Sequence, residues 1–200
     1  MFETIRLLAT VSRAEFLLPN LGSLIMGLAW GFTPSIRFND LAIFVVLSFA
    51  VINLSSAIGA QANTLADYEL DSKDDRKKKL VRAVDSIGRN RLKTLLIIEF
   101  LFTLFLTSMF MLILGNPSLL LMWIVGISLG CAYSAPPFRL KSRSWLALAS
   151  LILVLAIFPV LFAYYTFAPE MQPLFLLSLA GNAPTLSQNS SPFRFSLYDI

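Results

Sequence analysis

The sequence predicts an all-α polytopic membrane bundle, with about five to six transmembrane helices. Three observations carry that prediction. The 200-residue chain is 56% hydrophobic. Only 14% of its residues are charged, against about 25% in an ordinary soluble domain. Its apolar residues come in long blocks without strict alternation, and mean hydropathy is +0.73.

The blocks fall at 16–33, 41–62, 94–115, 119–134, 145–168 and 171–181. The first five reach or approach the ~20 residues that cross a hydrocarbon core. Glu3, Arg6 and Arg13 precede the first block and no small-residue cleavage site follows it, so the first span itself is expected to direct insertion. The 36–40 and 115–118 connections read as short turns, the second built on Gly115-Asn116-Pro117. The sixth block starts at Met171, carries Pro173 and gives way at Gly181-Asn182 to a polar stretch. Residues 1–181 are thus expected to form the membrane domain, and 182–200 a disordered or adventitious tail.

The basic residues orient the chain. With a cytoplasmic N-terminus, Arg6, Arg13, the whole 66–93 loop, Arg139, Lys141, Arg143 and Arg194 lie inside. Of the 16 Lys and Arg residues only Arg37 then lies outside, which is the positive-inside pattern. The net charge of +4 therefore reflects membrane orientation and gives no reason to expect nucleic acid as a partner.

The residue inventory limits the chemistry. One cysteine, Cys131, and no histidine exclude an intrachain disulfide and a His/Cys zinc site. Acid–base or metal chemistry must use Asp, Glu, Asn, Lys or Tyr. Cys131 reads as a small packed residue, and Glu99, early in the third span, as interfacial or hydrogen-bonded.

Asn63, Asp67 and Asp71 are spaced four apart at the foot of the second span. On a helix they stack on one face about 6 Å apart along the axis. A row of hard oxygen ligands at a membrane edge, followed by cations, suits Mg²⁺ and a phosphate-bearing substrate. The bland alternative is a solvated helix end. Glu69 and Asp75 lie off this face, whereas Asp74 could reach it.

The following run, from Lys73 through Arg76, Lys77, Lys78, Lys79 and Arg82 to Lys93, reads mostly as an anchor to anionic lipid. Lys73 and Arg82 are the candidates within it to hold a diphosphate. After the fourth span comes Tyr133-Ser134-Ala-Pro136-Pro137-Phe-Arg139-Leu-Lys141-Ser-Arg143. The Pro-Pro pair should end the helix. If the exit is extended, Arg139, Lys141 and Arg143 point the same way. An even number of crossings places this segment on the same membrane face as the carboxylates.

Asn-x-x-x-Asp-x-x-x-Asp after the second span resembles the first aspartate-rich motif of the UbiA superfamily of intramembrane prenyltransferases. Tyr-Ser-x-Pro-Pro-x-Arg-x-Lys after the fourth is similar to another recurring segment of that family. Arg13-x-x-Phe16 resembles its lead-in to the first span. The likeness covers about 1–180.

The resemblance implies a bundle of about nine spans with a cavity opening to the bilayer. It implies Mg²⁺-dependent transfer of a prenyl group from a prenyl diphosphate to an aromatic or other hydrophobic lipid acceptor. By position, Asn63, Asp67 and Asp71 would be the metal ligands, with Asp67 and Asp71 catalytic. Lys73, Arg82, Tyr133, Arg139 and Lys141 would meet the substrate. The 17 Phe residues would pack, face lipid or line a channel for the isoprenoid chain.

Three departures stand out. Thr64 occupies a position where the family usually has Asp, and Arg82 is followed by Ala83 where Pro is common. Where the second aspartate-rich motif is expected, Asn182 to Ser191 holds no carboxylate. A truncated or degenerate non-catalytic member of the family is therefore the competing expectation. A transporter would need more midplane polar residues than Asn53, Ser55 and Ser56. The Asp-Gly…Ala-Arg pattern of a CDP-alcohol phosphotransferase is absent.

Overall fold

In the computed structural model, which describes residues 2–32, 38–135 and 137–168, every regular element is helical. The elements are α1 (Phe2–Val11), α2 (Leu17–Gly31), α3 (Phe38–Asp71), α4 (Lys78–Ile87), α5 (Arg89–Leu114), α6 (Ser118–Ser134), α7 (Ser144–Ile152) and α8 (Phe158–Phe167). All described residues belong to one compact unit. The sixth apolar block, the polar tail, Arg37, Arg194, Pro136 and the 182–191 segment lie outside the described residues.

Among the described residues three stretches are long and apolar enough to cross a membrane: 40–71, 89–114 and 145–167. The predicted spans at 41–62, 94–115 and 145–168 correspond to them. α6 is apolar but shorter. α3 has 34 residues, about 51 Å of helix against a hydrocarbon thickness of about 30 Å. Its surplus length carries Asn63, Asp67 and Asp71 onward in unbroken helix towards the polar side.

α2 and α8 pack backbone to backbone. A Cβ on Gly27 would fall 2.4 Å from the Ala163 Cβ and 2.7 Å from the Val160 carbonyl; one on Gly31 would fall 2.7 Å from the Tyr164 carbonyl. Gly27-x-x-x-Gly31 is thus a small-residue seam, which membrane helices use because lipid supplies no hydrophobic drive to pair them. Side-chain hydrogen bonds tie α3 to its neighbours α8, α6 and α2. The Ser48 hydroxyl bonds Thr166 at 3.0 Å, and the Trp123 indole donates to Ser55 at 3.0 Å. Asn20 donates to Asn53 at 2.9 Å and to Ser56 at 3.0 Å. The midplane polar residues therefore join helices to one another.

The α5–α6 turn is the one expected at Gly115-Asn116-Pro117. Gly115 ends α5 at φ 64°, a left-handed cap that glycine adopts without strain. Asn116 accepts from the Ser118 amide at 3.1 Å and donates to the Tyr165 carbonyl at 2.8 Å, which ties the turn to α8.

α7 and α8 form one helix with a wide π turn over Leu153–Ile157. Pro159 explains the widening, because it lacks an amide hydrogen and would crowd the carbonyl of Leu155 in a regular α turn. At the polar end, Val11, Ala83, Val84 and Leu92 form a small core beside Leu7, Leu65 and Tyr68. That core clamps α1 and α4 to the ends of α3 and α5, and leaves Lys78, Lys79 and Arg82 exposed on α4.

Candidate functional site

The foot of α3 meets the turn after α6. Asn63 Oδ1 accepts from the Ser134 hydroxyl at 2.6 Å and from the Lys141 ammonium at 3.3 Å. The same ammonium forms an ion pair with Asp67, and Arg139 approaches that carboxylate at 3.6 Å. Lys141 and Asp67 are both largely shielded, with side chains 17% and 16% exposed. Such a pair is worth more than a surface salt bridge, because fewer waters compete for it.

The exit from α6 is not extended. α6 stops at Ser134 and Ala135 is extended, but Arg139 takes the left-handed region at φ 36° and Leu140–Ser142 coil into a tight helical turn. Arg139 and Lys141 therefore reach Asp67 from a folded turn, while Arg143 is exposed ahead of α7. The expectation of three cations in a row fails because Arg139 is itself left-handed and Leu140–Ser142 coil after it.

Asn63, Asp67, Ser134 and Lys141 stand at the mouth of a cleft of about 340 Å³. Arg13, Phe16, Asn63, Asp67, Tyr133 and Lys141 line its polar part. Ser55, Ser56, Gly59, Gly130 and Val154 belong both to this cleft and to a narrow apolar chamber of about 70 Å³ behind it. Trp123, Phe158 and Phe162 supply aromatic walls to the chamber. Cys131, read from sequence as packed, is exposed and lines the same chamber. A charged mouth opening into an apolar chamber matches an amphiphile with an anionic head and a hydrocarbon tail.

The structure brings together Asn63, Asp67, Tyr133, Arg139 and Lys141. It does not bring Asp71, Lys73 or Arg82 to the cleft. Asp71 is the last residue of α3, one turn past Asp67, and Lys73 and Arg82 are exposed beyond it. Asp74 is turned away from the cleft: it accepts from the Arg76 amide and pairs with its guanidinium at 2.9 Å. Those bonds hold the Asp74 carboxyl below its ordinary value. Glu69 pairs with Arg89 at 2.9 Å.

Sequence reasoning gave Arg13 and Phe16 no role in the site, and it passed over Gln61. Arg13 could have been found from its place in the Arg-x-x-Phe pattern. Gln61 offered only the signal of a polar residue inside an apolar block.

The donor set fits one Mg²⁺ ion. Asn63 Oδ1 and Asp67 Oδ1 both face the Lys141 ammonium, so two hard oxygens already converge on a cation. Mg²⁺ commonly takes one or two carboxylates and completes its shell with water and substrate phosphate. Among the described residues no group of three His, Cys, Asp or Glu side chains converges on a common point. Thr64 does not substitute for a carboxylate: it is 2% exposed, and its hydroxyl has no partner among the described residues.

Comparison with curated proteins and with solved structures returns no match. The model of the UbiA prenyltransferase family matches residues 19–187. That match runs through the carboxylate row, the basic turn and all helices from α2 onward, so the chain is an integral membrane protein belonging to the UbiA prenyltransferase family.

Proposed function

We propose that this chain moves a prenyl group from a prenyl diphosphate to a hydrophobic or aromatic acceptor, with the diphosphate held at the cytoplasmic membrane face. The observation that carries this reading is the continuity of the Asp67–Lys141 mouth with the apolar chamber. Asn63 and Asp67 would hold Mg²⁺, with Asp71 contributing from one turn away. When bound, the ion supplies neutralisation of the diphosphate charge.

The chain's own residues do the rest. Lys141, Arg139 and Arg13 offer cations to the diphosphate oxygens as the bond between prenyl C1 and oxygen breaks and the electron pair leaves with the diphosphate. The chamber excludes water from the allylic cation that remains. Trp123, Phe158 and Phe162 offer ring faces to that positive charge. The acceptor then forms the new bond to C1 and gives up a proton. Tyr133, at the mouth, borders the reacting end of the substrate. Lys73 and Arg82 remain candidates for first capture of the diphosphate from the surface.

The test is prenyl transfer in membranes carrying the protein, with labelled prenyl diphosphates of several lengths and a panel of acceptors. Transfer should require Mg²⁺ and fall by about 100-fold or more in Asp67→Asn. Asp71→Asn should cost less. Transfer indifferent to both substitutions would remove the assigned site. Diphosphate binding without transfer to any acceptor would favour a non-catalytic member of the family.

A further inference from the structure

The two non-glycine residues with left-handed backbone among the described residues are both arginines: Arg13 at φ 50°, which lines the cleft, and Arg139 at φ 36°, which approaches Asp67 beside it. Such backbone costs about 1–3 kcal/mol per residue and persists only where the surroundings enforce it. Arg139 stands 3.6 Å from Asp67. Beside Arg13 the tie runs outside the cleft.

Gln61 lies on α3, half a turn before Asn63, and is fully buried. Its amide nitrogen donates at 3.0 Å to the hydroxyl of Ser12, the residue before Arg13. The same nitrogen donates at 2.7 Å to the carboxylate of Glu99 on α5. The two bonds use both amide hydrogens, and a carboxylate can only accept, so the amide orientation follows. The α1–α2 turn is thus tied through α3 to α5 just where Arg13 must adopt its unfavourable backbone.

We infer that Glu99 and Gln61 are positioning residues, which act through Ser12 to hold Arg13 at the diphosphate mouth. An intramembrane carboxylate is costly unless something requires it. Here it orients Gln61, and Gln61 pins the turn. The Arg13 side chain then meets the same space as Asn63, Asp67 and Lys141 without contributing to the carboxylate pairings that hold those residues. The inference rests on the reading of this mouth as a diphosphate site.

The experiment is a double-mutant cycle on binding of inorganic pyrophosphate with Mg²⁺ to the purified full chain, read by calorimetry, with thermal stability recorded for every variant. Arg13→Gln should weaken binding about tenfold, as loss of a hydrogen bond to a charged group does. Gln61→Leu and Ser12→Ala should each weaken it about three- to tenfold. Glu99→Gln should restore near-normal binding, since its amide oxygen still accepts from Gln61, whereas Glu99→Leu should not.

In the Arg13→Gln background, Ser12→Ala and Gln61→Leu should have no further effect. Ser12→Ala removes a single hydroxyl, so it reports even if Gln61→Leu folds poorly. Equal losses in both backgrounds, or no loss from Ser12→Ala, would overturn the positioning role while leaving the diphosphate site standing. Absence of pyrophosphate binding by the unmodified chain would sink both.

Discussion

The Lys141 ammonium sits where Asn63 and Asp67 present oxygen to a cation. On the proposed reading it would also serve a bound diphosphate, and in the free protein it would compete with a metal ion. Lys141→Met should tighten Mn²⁺ binding to the ligand-free protein by about fivefold or more, since a shielded pair exceeds the roughly 1 kcal/mol ceiling of a surface one. It should weaken pyrophosphate binding at the same time. Electron paramagnetic titration of Mn²⁺ checks the first effect and calorimetry the second; weaker Mn²⁺ binding would contradict the competition. Asn63 and Asp67 were legible in the sequence because helical spacing alone aligns them. The reach of Lys141 was legible only as chemistry, since the left-handed Arg139 that turns it inward has no signal in a basic loop.

At the scale of elements, the α2–α8 seam matters most. Gly27 and Gly31 face α8 with no room for a side chain. Gly27→Val forces backbone apart and should lower stability by about 2–3 kcal/mol or more, since overpacking at a backbone contact cannot relax by rotamer change. Gly22, where nothing lies within 4 Å, should accept Ala almost neutrally. Thermal denaturation in detergent separates the two. α8 also ends the chamber, through Phe158 and Phe162, so loosening the seam should lower prenyl transfer before it unfolds the bundle. The Gly-x-x-x-Gly spacing was present in the sequence, but its partner was not, because spacing on one helix says nothing about which neighbour it meets.

At the scale of the whole molecule, α3 and the turn after α6 reach the same end of the bundle, and the cation bias predicts that this end faces the cytoplasm. In a Cys131→Ala background, Asp75→Cys should react with a membrane-impermeant maleimide in inverted vesicles and stay unlabelled in intact cells. Arg37→Cys should do the opposite. Labelling of both from one side would break the assigned topology. The exposed cations of α4 lie along the polar end, where they can meet anionic lipid headgroups.

The sequence by itself determined the helical membrane class, the positions of the three long spans and the α3 carboxylate row. Each of these follows from local rules: apolar length, cation bias and the 3.6-residue period. Only the tertiary structure decided which cations meet Asp67, and that Asp71, Lys73 and Arg82 stand apart from the cleft. It also decided that Gln61 joins Glu99 to the Arg13 turn. Those relations depend on helices distant in sequence coming into contact through a glycine seam and two reversed arginines, and no local periodicity encodes them.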